Sequence, residues 1–203
     1  MFKLIYGTYN QGKVSSMRRM LEGLKIEILA LSDYAQIKGE PEEDGKQPIQ
    51  NAIIKARYYY DQLKQPLFSC DSGLFFKEVT DEEQPGVRIR RPGRVRLNDE
   101  EMIDYYSALA KKYGGRLTAY YKNAVCLILD DETVIEYDDA SIDETAFYIV
   151  DRAHPSRISG FPLDSLSVDM RSGKYYLDID DVGLANEDIK NGFRRFFESN
   201  LKL

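Results

Sequence analysis

The chain has 203 residues, enough to bury a substantial core as one domain or as two small lobes sharing that core. Hydrophobic residues make up 43% and charged residues 31%, an ordinary globular mixture that excludes wholesale disorder. The net charge of -6 works against broad capture of a nucleic-acid backbone, while a local basic pocket can still take a small anion.

The opening MFKLIYGTYN is too short and too quickly polar for a secretion signal. No stretch reaches the ~18 consecutive apolar residues of a membrane span. The expectation is a cytoplasmic protein with no membrane partner. Cys70 and Cys126 each lie in an apolar run and read as reduced core thiols. His154 is the one histidine, so no histidine metal cluster forms within one chain; it reads as a surface residue in a proline-broken turn.

In chain order, residues 2–6 predict a strand, followed by the polar turn Gly7-Thr8-Tyr9-Asn10-Gln11-Gly12-Lys13. Residues 14–24 place Met17, Met20, Leu21 and Leu24 at helical spacing, and 26–31 predict a second strand. After the acidic segment 38–47, Pro48 suits the first turn of a helix reaching about Leu63, with Ile49, Ala52, Ile53, Ala56 and Tyr60 as its apolar stripe. Residues 67–70 predict a short strand that stops at Asp71-Ser72-Gly73, with a further apolar run at 74–79. Residues 80–96 read as a loop carrying arginines 88, 90, 91, 94 and 96. Asn98 or Asp99 can cap a helix ending near Tyr113. The second half is strand-like at 117–129, 133–137 and 146–150, with short strands at 166–168 and 174–177 and a terminal helix at 186–201. This is an α/β core with a strand-rich excursion and no linker that cleanly splits the chain.

Three loops carry the chemistry. The first, from Gly7 to Lys13, offers a hydroxyl, an amide and an ammonium beside flexible backbone, which suits a phosphate chain as well as a plain strand-to-helix turn. It lacks the glycine spacing and following hydroxyl of a Walker loop. The second, Gly39-Glu40-Pro41-Glu42-Glu43-Asp44-Gly45, precedes the helix bearing Asn51 and Lys55. Hard carboxylates facing a lysine-bearing helix suit magnesium and phosphate; on composition alone the segment is a solvated acidic loop. The third, Asp71-Ser72-Gly73, delivers a carboxylate from an apolar strand, either as a site group or as a turn cap. The arginine-rich loop with its Pro85-Gly86 turn reads as a polyphosphate contact or as a solvated flap.

Together these segments resemble the inosine/xanthosine triphosphate pyrophosphatase (Ham1-type) family. Thr8, Asn10 and Lys13 match its T-x-N-x-x-K signature. Glu43, Gly45, Asn51, Ala52, Lys55 and Ala56 match its acidic stretch and following helix, with Gln50 in place of the family's glutamate. Its D-D-S-G-L appears as Cys70-Asp71-Ser72-Gly73-Leu74, its P-G-V as Pro85-Gly86-Val87, and its G-F-G-Y-D-P as Gly160-Phe161-Pro162-Leu163-Asp164-Ser165. Lys174 follows Gly173 as in the family's G-K.

The resemblance implies an elongated, two-lobed, mixed-sheet α/β fold with a cleft between the lobes, and a homodimer. It implies magnesium-dependent hydrolysis of a non-standard purine nucleoside triphosphate to the monophosphate and pyrophosphate. Glu43 and Asp71 would hold magnesium, and Asp71, Lys13 and Lys55 would carry catalysis. Thr8, Asn10, Lys13, Asn51, Lys55, Ser72, Phe161, Asp164 and Lys174 would contact substrate, with Phe161 stacking on the base. Two departures stand out. Cys70 removes a carboxylate, and Asn186-Glu187-Asp188 stands where the family has the cationic S-H-R segment. Both leave open a nucleotide-binding protein without turnover, or a pyrophosphatase with changed specificity.

Overall fold

The structure is a computed structural model that describes residues 1–179 and 187–201. It is a mixed α/β fold dividing into two compact units, the first comprising Met1–Ser72, Lys122–Asp143 and Asp188–Leu203, the second Gly73–Tyr121 and Glu144–Glu187.

In the first unit, strand β1 (Phe2–Tyr6) pairs in parallel with β2 (Ile26–Ala30) and with β3 (Leu67–Phe76). The far end of β4 (Arg116–Ile128) pairs antiparallel with β5 (Val134–Tyr137). Strand alternation sorts two cores. Leu4, Tyr6, Phe68, Val125 and Leu127 pack with helix α1 (Gln11–Met20) and with α4 (Glu187–Leu201), whose Ile189, Phe193, Phe196 and Phe197 form an apolar stripe. Ile5, Leu67, Ala124, Cys126 and Ile128 pack instead with Ala52, Ala56, Tyr59, Tyr60 and Leu63 of α2 (Pro48–Leu63).

The second unit packs α3 (Asp99–Lys112) over β4 and β6 (Phe147–Val150), burying Met102, Ile103, Tyr106, Leu109, Leu117, Phe147 and Ile149 together. Strand β7 (Ser167–Val168) continues the antiparallel pairing from β6. Asn98 begins α3 with reciprocal capping: its Oδ1 accepts from Glu101 N at 2.9 Å while Glu101 Oε2 accepts from Asn98 N at 2.7 Å.

Several elements differ from the expectation. Helix α1 begins at Gln11 rather than Val14, because Asn10 serves as its cap and brings the Lys13 turn into the helix. Strand β3 does not stop at Asp71; the strand continues through Ser72 and Gly73 to Phe76, so Asp71 lies within a strand. Residues 174–177 form an isolated bridge from Tyr175 to Val168, followed by a 3-10 turn at Tyr176–Asp178. His154 is not an open surface residue: its side chain is 16% exposed and lies 3.1 Å from Asp178, and its Nδ1 accepts from Ser156 N at 3.1 Å. Both thiols are free and buried. Asn186 lies outside the described residues. Among the described residues, no helix is long and apolar enough to cross a membrane.

Helix α4 makes one backbone approach that tolerates no side chain. A Cβ on Gly192 would lie 1.9 Å from the Ser141 carbonyl oxygen. Alanine is worth about 1 kcal/mol more than glycine inside an exposed helix, but overpacking against backbone costs about 1–3 kcal/mol. Gly192→Ala is therefore expected to lower the urea midpoint of unfolding, and a midpoint raised by the substitution would show that the helix does not seat as described.

Candidate active site

Three segments of the first unit build one polar cluster against the apolar sheet. Where β1 ends, Gly7 N donates to Phe68 O at 2.8 Å, and a Cβ at Gly7 would meet Ser69 Oγ at 2.2 Å. The glycine therefore lets the loop lie directly on β3. Asn10 N then donates to Thr8 Oγ1 at 3.2 Å, and Asn10 Oδ1 accepts from Lys13 N at 3.2 Å. Thr8 and Asn10 thus shape the loop and set Lys13 in the first turn of α1, where helical N–H groups and the helix dipole favour an anion. The Lys13 ammonium forms no ion pair among the described residues. Burial, and then repulsion from Lys55, lower its pKa below the ordinary lysine value.

The acidic loop and α2 meet β3 through Lys55. Its Nζ lies 2.7 Å from Asp71 Oδ1 and 3.3 Å from Glu43 Oε2, so one ammonium joins both carboxylates. Burial opposes the Lys55 charge, but Asp71 and Glu43 outweigh that opposition and raise its pKa. Asn51 is 1% exposed and fixes both sides of this group. Its Nδ2 donates to Asp71 Oδ2 at 3.2 Å, and its Oδ1 accepts from Gly45 N at 2.9 Å. A Cβ at Gly45 would fall 2.5 Å from that Asn51 oxygen, which explains the glycine between the acidic loop and the helix. Gln50 still closes the helix start without a charge, because its Oε1 accepts from Lys46 N and Gln47 N at 2.7 and 3.2 Å.

Two neighbours define what the cluster lacks and what supports it. Cys70 belongs to the core that holds Phe68 and Phe197, opposite the α2 side where Asp71 meets Lys55. Burial pushes its thiol up to about 12, so it is neutral near pH 7 and offers no carboxylate-like donor. Ser72 Oγ donates to Asn123 Oδ1 at 2.6 Å, and Asn123 Nδ2 donates to Ile142 O at 2.8 Å. Asn123 and Ser69 escaped sequence reasoning because their roles rest on contacts between segments distant in the chain.

The remaining expected residues lie in the second unit. Phe161 precedes the 3-10 turn Pro162–Ser165, which carries Asp164, and Lys174 is exposed beyond the tight turn at Gly173. Burial raises Asp164 to about 6. Burial and then the nearby Asp164 raise Glu144 to about 7. Glu144 was not anticipated, since an isolated glutamate in the sequence gives no sign of burial. In the first unit, Thr8, Asn10, Lys13, Glu43, Asn51, Lys55, Asp71 and Ser72 all lie in Met1–Ser72.

The donor set suits a hard divalent cation. Two carboxylates lie within reach of one point, and no third His, Cys, Asp or Glu completes a cluster among the described residues. Magnesium commonly takes one or two carboxylates and completes its shell with water and phosphate oxygens. Glu43 and Asp71 fit that pattern.

Fold and site together define an α/β protein with a largely buried lysine-and-carboxylate cluster. A profile of the Ham1 family matches residues 4–142, and the chain belongs to that family. It is 38% identical over 133 residues to the dITP/XTP pyrophosphatase of Leptospira interrogans, spanning 64% of this chain and 64% of that protein's own length. The dITP/XTP pyrophosphatase of Thermoanaerobacter pseudethanolicus is 28% identical over 167 residues, covering 80% of this chain and 77% of that one. Among solved structures, a HAM1 protein from Coxiella burnetii aligns with TM-score 0.74 at 19% identity, covering 100% of this chain and 99% of that one. The Staphylococcus aureus Ham1 protein aligns with TM-score 0.70 at 19% identity, covering 97% and 98%. These two share the fold. Phe161, Asp164 and Lys174 lie beyond the segment that the family profile matches.

The lowered Lys13 pKa gives the site a pH signature. Only the protonated amine attracts phosphate, so anion binding favours proton uptake at Lys13. Affinity for tripolyphosphate is expected to be level below the Lys13 pKa and to fall as pH rises through it, before ordinary lysines titrate. Lys13→Arg should move that fall to higher pH. Titration calorimetry across alkaline pH checks this, and an unchanged profile in Lys13→Arg would contradict it.

Proposed function

We propose that this chain hydrolyses a nucleoside triphosphate to the monophosphate and pyrophosphate with magnesium, at the cluster around Lys55. The observation that carries the reading is the single Lys55 ammonium joining Glu43 and Asp71, with the buried Lys13 ammonium close enough to feel all three charges while forming no ion pair of its own among the described residues. That arrangement offers cations for phosphate oxygens and carboxylates for a metal ion.

In this mechanism Thr8 and Asn10 hold the loop that presents Lys13 to the phosphates. Lys13 and Lys55 offset the charge that develops on the reacting phosphoryl group, where fixed cations act most strongly. Asn51 is a positioning residue that aims Asp71, while the hydroxyl of Ser72, the next residue of the strand, donates to Asn123. Glu43 and Asp71 would hold magnesium, which when bound neutralises phosphate oxygens and acidifies a coordinated water. Asp71 orients the attacking water toward the α-phosphorus.

The relatives' names specify dITP and XTP. We infer the same class, non-standard purine nucleoside triphosphates, for this chain, with Phe161, Asp164 and Lys174 as its base-side and nucleotide contacts. The dimeric assembly is part of the same proposal. A second reading, nucleotide binding without turnover, is favoured by the neutral Cys70 thiol in a position where the family carries a carboxylate.

Pyrophosphate release from dITP, XTP, ATP and GTP, with and without magnesium, separates these readings. The proposal expects magnesium-dependent release, and a loss of about 10²–10³ in kcat/KM for Asp71→Asn and Lys13→Ala. Nucleotide binding without release from any substrate establishes the second reading. Release unaffected by both substitutions would remove the site assignment.

A further inference from the structure

The arginine-rich segment of the second unit is a built loop. Gly86 O accepts from Leu74 N at 2.9 Å, while the Gln84 side-chain amide pairs with both backbone groups of Phe76, at 2.9 and 2.6 Å. Arg88 N donates to Pro85 O and Arg91 N donates to Arg88 O, at 2.9 and 2.8 Å. Leu97 N donates to Arg90 O at 2.8 Å and closes the loop on itself. Tyr106 Oη ties Ile89 O to α3 at 2.9 Å, and both Ile89 and Leu97 pack against the second unit's core. Ordering of this backbone is therefore already accomplished before any partner arrives.

Charge is segregated along this segment. Residues 85–97 contain five arginines and no acid, and acidic triads stand on either side at 81–83 and 99–101. Four of those six acids have partners other than Arg88, Arg91 and Arg96. Glu83 takes Lys112 and Tyr113, and Glu100 takes Arg157. Glu101 caps α3, and Asp99 takes Arg90. Arg88, Arg91 and Arg96 are exposed and form no ion pair among the described residues. They lie on a loop whose ends are bridged through the backbone, with Arg91 and Arg96 each one residue inside the Arg90–Leu97 hydrogen bond.

We propose that Arg88, Arg91 and Arg96 form a second anion site, made from none of the residues of the Lys13 and Lys55 cluster, which takes a short chain of phosphate groups. Guanidinium forks match the paired oxygens of phosphate, and several on one ordered loop favour neighbouring phosphates over a single carboxylate. The length of the ligand follows from the remainder of the molecule. A chain of net charge -6 repels a long polyanion outside this loop, whereas a tri- or tetraphosphate is confined to it. The site stands independently of the proposed reaction, since it uses none of the residues assigned to hydrolysis.

Titration calorimetry of the full chain with inorganic tripolyphosphate at low salt tests the proposal. Wild type is expected to bind at two sites. Lys13→Met should weaken one and leave the other unchanged. The triple variant Arg88→Gln, Arg91→Gln, Arg96→Gln should weaken that second site about ten- to hundred-fold, with the melting temperature held, because all three side chains are exposed. In wild type the second affinity should also fall as salt rises, a reading that needs no substitution. Equal binding by wild type and the triple variant would overturn the site. A 16-nucleotide single-stranded RNA that binds the loop more tightly than tripolyphosphate would overturn the short-ligand assignment.

Discussion

The Lys55 ammonium is the interaction on which the rest of the first unit's polar chemistry depends. It joins a carboxylate on the acidic loop to one within a strand, and its own helix supplies Asn51 to aim the second of them. The Lys55 and Asp71 side chains are only 12% and 10% exposed. Removing either partner from such a buried pair leaves an uncompensated charge, a penalty of about 3–5 kcal/mol. The group is thus stable only as a balanced set. If a phosphate chain takes Lys55 and a dication takes the carboxylates, each charge exchanges one counter-ion for another and the set stays balanced.

The same constraint explains the neighbouring glycines. Gly45 lets the acidic loop reach the Asn51 amide, and Gly7 lets the first loop lie on β3 against Ser69. One approach brings the acidic loop onto helix α2 and the other brings the first loop onto β3. They link a backbone feature to the chemistry, so the loops are as much a part of the site as the lysines.

Much of this was legible in the sequence because it is local. Strand β1, helix α2 with its opening proline, the Asn98 cap and the three polar loops all follow from short-range pattern. The misread features are tertiary. A Ser-Gly pair looks like a strand end, yet β3 continues through it because partners on other segments keep the backbone extended. His154 looks like an open surface residue, yet Asp178 from a distant turn lies 3.1 Å from its ring. The burial that raises Glu144 and Asp164 likewise comes from the second unit's packing. The phosphate-side signature lies within a compact stretch of sequence, while the base-side residues fall beyond the part of the chain that the family profile matches.

In the proposed reaction Lys55 and its two carboxylates exchange each other for phosphate and metal. A crystal structure of the full chain with magnesium and a non-hydrolysable nucleoside triphosphate tests it most directly. The phosphates are expected against Lys13 and Lys55, with Asp71 and Glu43 turned from the ammonium to the metal. A bound nucleotide with Lys55 still joining Asp71 to Glu43, and its phosphates elsewhere, would contradict it.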